Sequence, residues 1–512
     1  MIDFLKVGKA SDLTGRDRVI YRLLEMLPAF LSWTTLIGLV ILSALQPIWV
    51  AYFILAFDVY WLLLVLYLSI HLIAAYRHFK KNLTIDWRGR LIALPNPIDR
   101  PGRDSIWHFV FLPTYNEGLD VMRPTFQALL DAGYPTDRMI LVLAIEGRAG
   151  IEAQERANKI KQEFGYKFYR FIITVHPNLE GELKGKGANQ AWAAVEVKRD
   201  VIDKEGFDYK SILVTILDID TILPPGYFDL LTYKFLTVEN PYHASYQPIP
   251  LYFNNIWQAP FFSRVAASSN TFWQMMQQIR QEKLATYSSH SMTWQALSDI
   301  GFWSTKMVSE DSRIFWHCYC YYNGDYRVEP LHFPVSMDAT MDSNFIKTAQ
   351  SLYKQQRRWG WGVENVPYLI FNFIKRYKTL PKRRTMSLIF VQIYGFHSWA
   401  TNALIIAVVG WMPMLLGGDR FNSSVLSGNL PYVARTLMTI AMLGLVVSAV
   451  ISTLLLPPPP KNYGWHKRLA MVLQWLILPV SIIIFGSIPG LAAQTRLFFG
   501  RYLGFFVTPK AR

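Results

Sequence analysis

Ser211-Ile212-Leu213-Val214-Thr215-Ile216-Leu217-Asp218-Ile219-Asp220 is the stretch that decides the fold. An uncharged run of strand length, Ser211 to Leu217, ends on two carboxylates one residue apart. Three more largely apolar runs of strand length stand upstream, at His108–Leu112, Met139–Ile145 and Phe168–Val175. Between the runs, Leu119–Ala132, Glu152–Phe164 and Ala188–Val201 carry helical periodicity. Strands alternating with helices predict an α/β domain of βαβ units on a mostly parallel sheet. Ligands of such sheets gather at the carboxyl ends of the strands.

The residues at those ends are therefore the candidates. The first strand runs into Pro113-Thr114-Tyr115-Asn116-Glu117, and the second ends on Glu146-Gly147. A basic glycine turn, Lys184-Gly185-Lys186-Gly187, opens the next helix, where backbone amides and a lysine suit a phosphate. Asp218 and Asp220 are hard oxygen ligands for Mg²⁺ or Mn²⁺, ions that also take substrate phosphates. On successive strand ends these pieces together specify a nucleotide-diphosphate site.

The flanks belong to a membrane. Of the 512 residues, 52% are hydrophobic, 15% aromatic and only 17% charged, against about 25% charged in a soluble domain. That composition excludes a disordered chain. Two cysteines, Cys318 and Cys320, exclude a disulfide scaffold and read as reduced thiols. Leu27–Tyr76 holds one charged residue, Asp58, and Thr385–Leu456 holds three. A crossing needs about 20 apolar residues, so four are expected, near 27–45, 48–76, 388–416 and 432–456. Asp58 then sits at membrane depth, either on a translocation path or as an interhelical hydrogen-bond partner or protonated acid.

The net charge of +15 is concentrated at the edges of these runs rather than on a nucleic-acid face. Basic clusters before the first and third runs and after the second and fourth put the centre of the chain in the cytoplasm. A further apolar run, Leu469–Gly486, has basic residues at both ends and Pro479 inside. It is expected to lie in the interface or re-enter.

Three more motifs follow: Ser309-Glu310-Asp311, with Ser309 expected to cap a helix running through Cys320; Gln355-Gln356-Arg357-Arg358-Trp359; and Phe505-Phe506-Val507-Thr508-Pro509-Lys510. Together with Pro113–Glu117 and Asp218-Ile219-Asp220 they resemble, in order, the motifs of the processive membrane-integrated family-2 glycosyltransferases, the cellulose, chitin and hyaluronan synthase group. The resemblance spans 111–510. It implies a GT-A-like catalytic domain inserted between transmembrane helices. The expected division is 1–26 cytoplasmic segment, 27–76 two crossings, 77–384 catalytic domain, 385–456 two crossings, 457–504 interfacial or re-entrant segment, and 505–512 gating motif.

The resemblance also implies roles. Tyr115 stacks on the uracil of a UDP-sugar, with Thr114, Glu117 and Glu146 around the donor. Lys186, Gln355, Arg358, Thr508 and Lys510 hold the diphosphate. Asp220 and Asp218 hold Mg²⁺ or Mn²⁺. Asp311, beside Glu310, is the general base. Trp359 lies under the acceptor sugar. Glu146 departs from the family's usual Asp, and Ser309 from its Thr. His290 stands where a glycine is common, so it either contacts the glycan or is a hydrogen-bonded structural residue. A dense run of aromatics from Tyr242 to Trp273 either lines an acceptor path or is core and membrane-facing surface.

The expected function is a polysaccharide synthase of the inner or plasma membrane. It adds sugars from a UDP-sugar to a β-linked glycan by an inverting displacement and passes the chain through its own helices. The partners expected are the donor, the glycan, the bilayer and no nucleic acid. No cyclic-dinucleotide control is expected. Two rivals are a single-addition transferase acting on a lipid carrier or glycolipid and, less favoured, a nucleotide-sensing transporter.

Overall fold

The computed structural model describes residues 3–95, 97, 99–177, 179–461 and 463–508. Seven strands form one sheet: β1 Trp107–Thr114, β2 Met139–Glu146, β3 Arg170–His176, β4 Ile212–Ile216, β5 Ala244–Leu251, β6 Ser291–Thr293 and β7 Arg327–Ser336. Their order is β3-β2-β1-β4-β6-β5-β7. β1 pairs in parallel with β2 and β4, β2 with β3, and β5 with β7. Only β6 is antiparallel, to both β4 and β5. Six strands thus point one way, and their carboxyl ends share one edge.

The first four strands lie within two residues of the apolar runs that predict them. Side chains alternate between the two faces, as strand geometry requires. Val110 and Leu112 of β1 join the core under helices Leu119–Asp131, Gly150–Phe164 and Tyr227–Thr237. Phe109 and Phe111 join the opposite core, under Lys186–Val197, Glu310–Tyr321 and Asn365–Lys375. With both faces covered, β1, β2 and β4 are buried and mostly apolar along their length.

β5 to β7 are not among the expected strands. β6 has three residues. β7 carries Pro330 and Pro334 but forms the sheet's edge, where proline is tolerated. Pro248 of β5 falls in a register break between Gln247 and Ile249.

Helices Gly15–Leu45, Pro47–Leu83, Val425–Leu455 and Trp465–Phe498 are each long and apolar enough to cross a membrane. Lys382–Ala407 and Val409–Leu416 together make a fifth candidate, bent by 42°. The helices also pack on the sheet domain. The Nδ2 of Asn82 donates to the Leu331 carbonyl at 3.0 Å, and Tyr21 packs edge-on against Phe371 with ring centroids 5.2 Å apart.

Trp465–Phe498 is not one straight rod: it passes through 3-10 and π turns at Gln474–Ile477 and Ile483–Ser487. Both its ends lie beside the sheet domain. The ring of Tyr463 meets Trp257 at 4.7 Å. At the far end Ala493 and Leu497 join a buried cluster with Val308, Trp361 and Val366, and Arg22 of helix Gly15–Leu45 donates to the carbonyls of Leu497, at 2.9 Å, and Phe498. Cys318 and Cys320 are free and buried.

Candidate active site

Lys186 is the first residue of its helix and the centre of the strand-end crevice. Its Nζ lies 2.8 Å from Asp218 Oδ1, past the end of β4. It also donates to both oxygens of Asp311, at 3.1 and 3.0 Å. Burial alone would drive the ammonium towards neutrality, but the Asp218 and Asp311 carboxylates outweigh it and hold the lysine above its usual range. Glu310 is buried beside Asp311. Burial first, and the Asp311 charge second, push its carboxyl up to about 8.

Asp220 is buried behind this cluster. Its Oδ2 accepts the Asp338 amide at 3.0 Å, just beyond β7. Asn254 ties the same corner together, donating to the Asp220 carbonyl and to Asp338 Oδ1 at 2.8 and 2.9 Å. Ser288 donates to Asp218 Oδ2 at 2.8 Å.

Ser309 takes the N-cap position of Glu310–Tyr321 without capping it. Its amide and hydroxyl instead donate to Glu364 Oε1, at 3.0 and 2.6 Å. This corrects the expected cap: a buried carboxylate competes for the hydroxyl, and the charge-assisted bond is the stronger one.

At the other end of the crevice, Glu117 closes its own turn. Its Oε2 accepts the Thr114 hydroxyl and the Tyr115 amide at 2.8 and 2.7 Å. Glu146, buried at the end of β2, accepts Arg148 Nε at 2.6 Å. The Arg148 guanidinium lies 4.5 Å from the centroid of the Tyr115 ring.

Gln355, Arg358 and Trp359 sit at i, i+3 and i+4 of helix Phe345–Gly360, and so on one face. Gln355 Oε1 accepts the Thr340 hydroxyl at 2.6 Å. The ring of Trp359 lies 6.3 Å from that of Tyr252. A cavity of about 10 Å³ beside these two rings has room for about one water.

The C-terminal tail folds back onto this face. Arg358 stands 4.9 Å over the ring of Phe505, and Lys354 5.2 Å over that of Phe506. Phe505 also presses on Gly185, whose φ is +155° and whose missing Cβ would fall 2.6 Å from Phe505 Cγ. Only glycine suits both that backbone and that approach. The tail thus reaches the loop carrying Lys186. The Thr508 hydroxyl oxygen is shut off from solvent and has no hydrogen-bond partner among the described residues. Lys510 lies outside the described residues.

His290 is fully buried, its Nδ1 at 2.8 Å from the Tyr287 carbonyl. Its own carbonyl accepts the Ile216 amide, extending the β4–β6 pairing. The aromatic run divides: Tyr246 is core, Tyr252 and Trp257 gather round Trp359, and Trp273 is exposed.

The family model described as glycosyl transferase family group 2 matches residues 213–486, just over half of the chain. This chain belongs to glycosyl transferase family group 2. The match takes in Asp218, Asp220, Asp311 and Gln355–Trp359; β1 to β3 and the tail lie outside it.

Among solved structures, the glycosyltransferase is similar to mannosyltransferase PcManGT from Pyrobaculum calidifontis, in complex with GDP-Man and Mn²⁺. The two are 16% identical over 75% of this chain and 99% of that one, with a TM-score of 0.40. Residues 1–349 of S. aureus TarS are 9% identical over 68% of this chain and 91% of that one, with a TM-score of 0.35. No curated protein matches the chain by sequence.

Sequence reasoning missed several residues of this glycosyltransferase site. Asp338 and Asn254 enter through β7 and β5, strands that their prolines disguise. Glu364 enters through a short 3-10 turn. Arg148 had a signal: a cation two residues past a candidate donor-binding acid at a strand end.

Proposed function

We propose that this glycosyltransferase is a membrane-integrated polysaccharide synthase, which transfers sugars from a UDP-sugar to a β-linked glycan with inversion and extrudes the product. One observation carries the proposal. The tail residue Phe505 packs on the Lys186 loop and under Arg358, beside the Lys186–Asp218–Asp311 cluster. A chain end anchored among membrane helices therefore forms part of the donor crevice.

In this proposal Tyr115 and Glu146 take the base, while Lys186, Arg358, Gln355 and Thr508 surround the diphosphate. Asp311, in the first turn of its helix, accepts the acceptor hydroxyl's proton as the new bond forms. Trp359 and Tyr252 offer flat apolar faces to the acceptor sugar. Negative charge grows on the departing diphosphate, and the cations already gathered here oppose it without reorganising.

The site suits a divalent ion. Asp218 and Asp220 supply two hard oxygens, while among the described residues no three His, Cys, Asp or Glu side chains form a complete cage. Mg²⁺ and Mn²⁺ accept such partial sets, taking other ligands from phosphate and water. When bound, the ion would offset charge on the leaving group.

The same proposal places the membrane helices as an extrusion path and the catalytic domain in the cytoplasm. The bilayer partner is supported by the candidate spans. The re-entrant course of Trp465–Phe498 is supported by the position of both its ends beside the catalytic domain. The test is purified protein with a panel of radiolabelled UDP-sugars. The proposal expects UDP release from one of them and a long product. A product extended by one sugar identifies a single-addition transferase, and no UDP release removes the UDP-sugar assignment.

A further inference from the structure

Arg148 already makes both contacts that the base of the donor would make. Its planar guanidinium lies 4.5 Å from the centroid of Tyr115, at stacking range. Its Nε–H donates to Glu146 Oε2 at 2.6 Å, as an imino N–H of a base would. The side chain is three-quarters buried, and Nη2 is shut off from solvent with no hydrogen-bond partner among the described residues.

The local backbone directs it there. A Cβ on Gly147 would fall 2.7 Å from the His176 carbonyl at the end of β3, so only glycine lets the chain turn this tightly after β2. The 3-10 turn Gly147–Ala149 that follows carries Arg148 back over Tyr115.

We infer that Arg148 is an affinity-setting residue of the donor site: its guanidinium occupies the base position and must be displaced by each incoming nucleotide. The inference rests on the assignment of Tyr115 and Glu146 to the base. Planarity, an N–H aimed at a carboxylate and a ring face are shared by a guanidinium and a uracil, so the two compete for one place. The competition weakens nucleotide binding on the base half alone. It therefore also speeds loss of the nucleoside diphosphate product, which keeps the base but has lost the sugar.

The test is calorimetric titration of the purified full chain with UDP, and separately with inorganic pyrophosphate, both with Mg²⁺. Arg148→Ala should bind UDP roughly tenfold more tightly than the native chain, the scale of one lost charge-assisted hydrogen bond. Pyrophosphate, which does not reach the base position, should bind both proteins equally. Arg148→Lys keeps the charge but not the plane, and should fall between them. It is also the fallback if the alanine variant does not fold.

Equal or weaker UDP binding by a folded Arg148 variant overturns the inference. A parallel change for pyrophosphate also overturns it, because it shows a general effect on the site. Pyrophosphate binding without UDP binding in the native chain overturns the base assignment itself.

Discussion

Lys186 joins two carboxylates with different proposed tasks, Asp218 for the metal side and Asp311 for the acceptor side. A neutral amide at 311 cannot take a proton. Asp311→Asn should therefore lower transfer by about 10²–10⁴-fold while UDP still binds; near-native turnover in the folded variant contradicts the assignment. Glu310 adds a pH signature. Its carboxyl, pushed up to about 8, keeps its proton in the folded chain above the ordinary glutamate range, where the unfolded chain has lost it. The unfolded state then binds fewer protons, so this group's contribution to stability is full below the ordinary value and is lost as pH rises through about 8. Melting of the detergent-solubilised protein should fall more steeply between pH 5 and 9 in the native chain than in Glu310→Gln. Equal slopes would mean the carboxyl is not held neutral. Residue types at strand ends made Asp218, Asp220 and Lys186 legible in the sequence. Nothing local announced that Ser309 would turn to Glu364, because that choice depends on a partner 55 residues away.

At the scale of elements, the alternating strands and helices were legible because β1, β2 and β4 are buried on both faces and are mostly apolar. β5 and β7 were hidden by prolines that a register break and a sheet edge absorb. Helix Phe345–Gly360 and the tail act together. Gly185→Ala should strain a positive-φ backbone and push Phe505 from its seat. The expected outcome is faster hydrogen exchange and proteolysis across 500–508 together with a drop in synthesis, with the rest of the catalytic domain unchanged. Unaltered protection of the tail would show that Gly185 does not hold it. On the acceptor side, Trp359→Ala should impair elongation more than donor binding, since the indole meets Tyr252 rather than the base half. A fall in UDP affinity with intact acceptor use would reverse that role.

For the whole molecule, composition alone located the apolar runs. Pro479 marked the broken course of Trp465–Phe498 in the sequence, whereas the bend at 408 has no such signal in the hydropathy pattern. The arrangement sets a catalytic sheet edge, a helix bearing Gln355, Arg358 and Trp359, and a folded-back tail against a group of apolar helices. In the proposed function this assembly would couple sugar addition to passage through the membrane. The most direct measurement is synthesis in sealed proteoliposomes holding only this chain, with radiolabelled UDP-sugar outside and a glycan-degrading enzyme added afterwards to the exterior. The account predicts a long labelled polymer whose far portion is protected inside until detergent opens the vesicles. A product of single added sugars, or a polymer wholly degraded from outside, would contradict it.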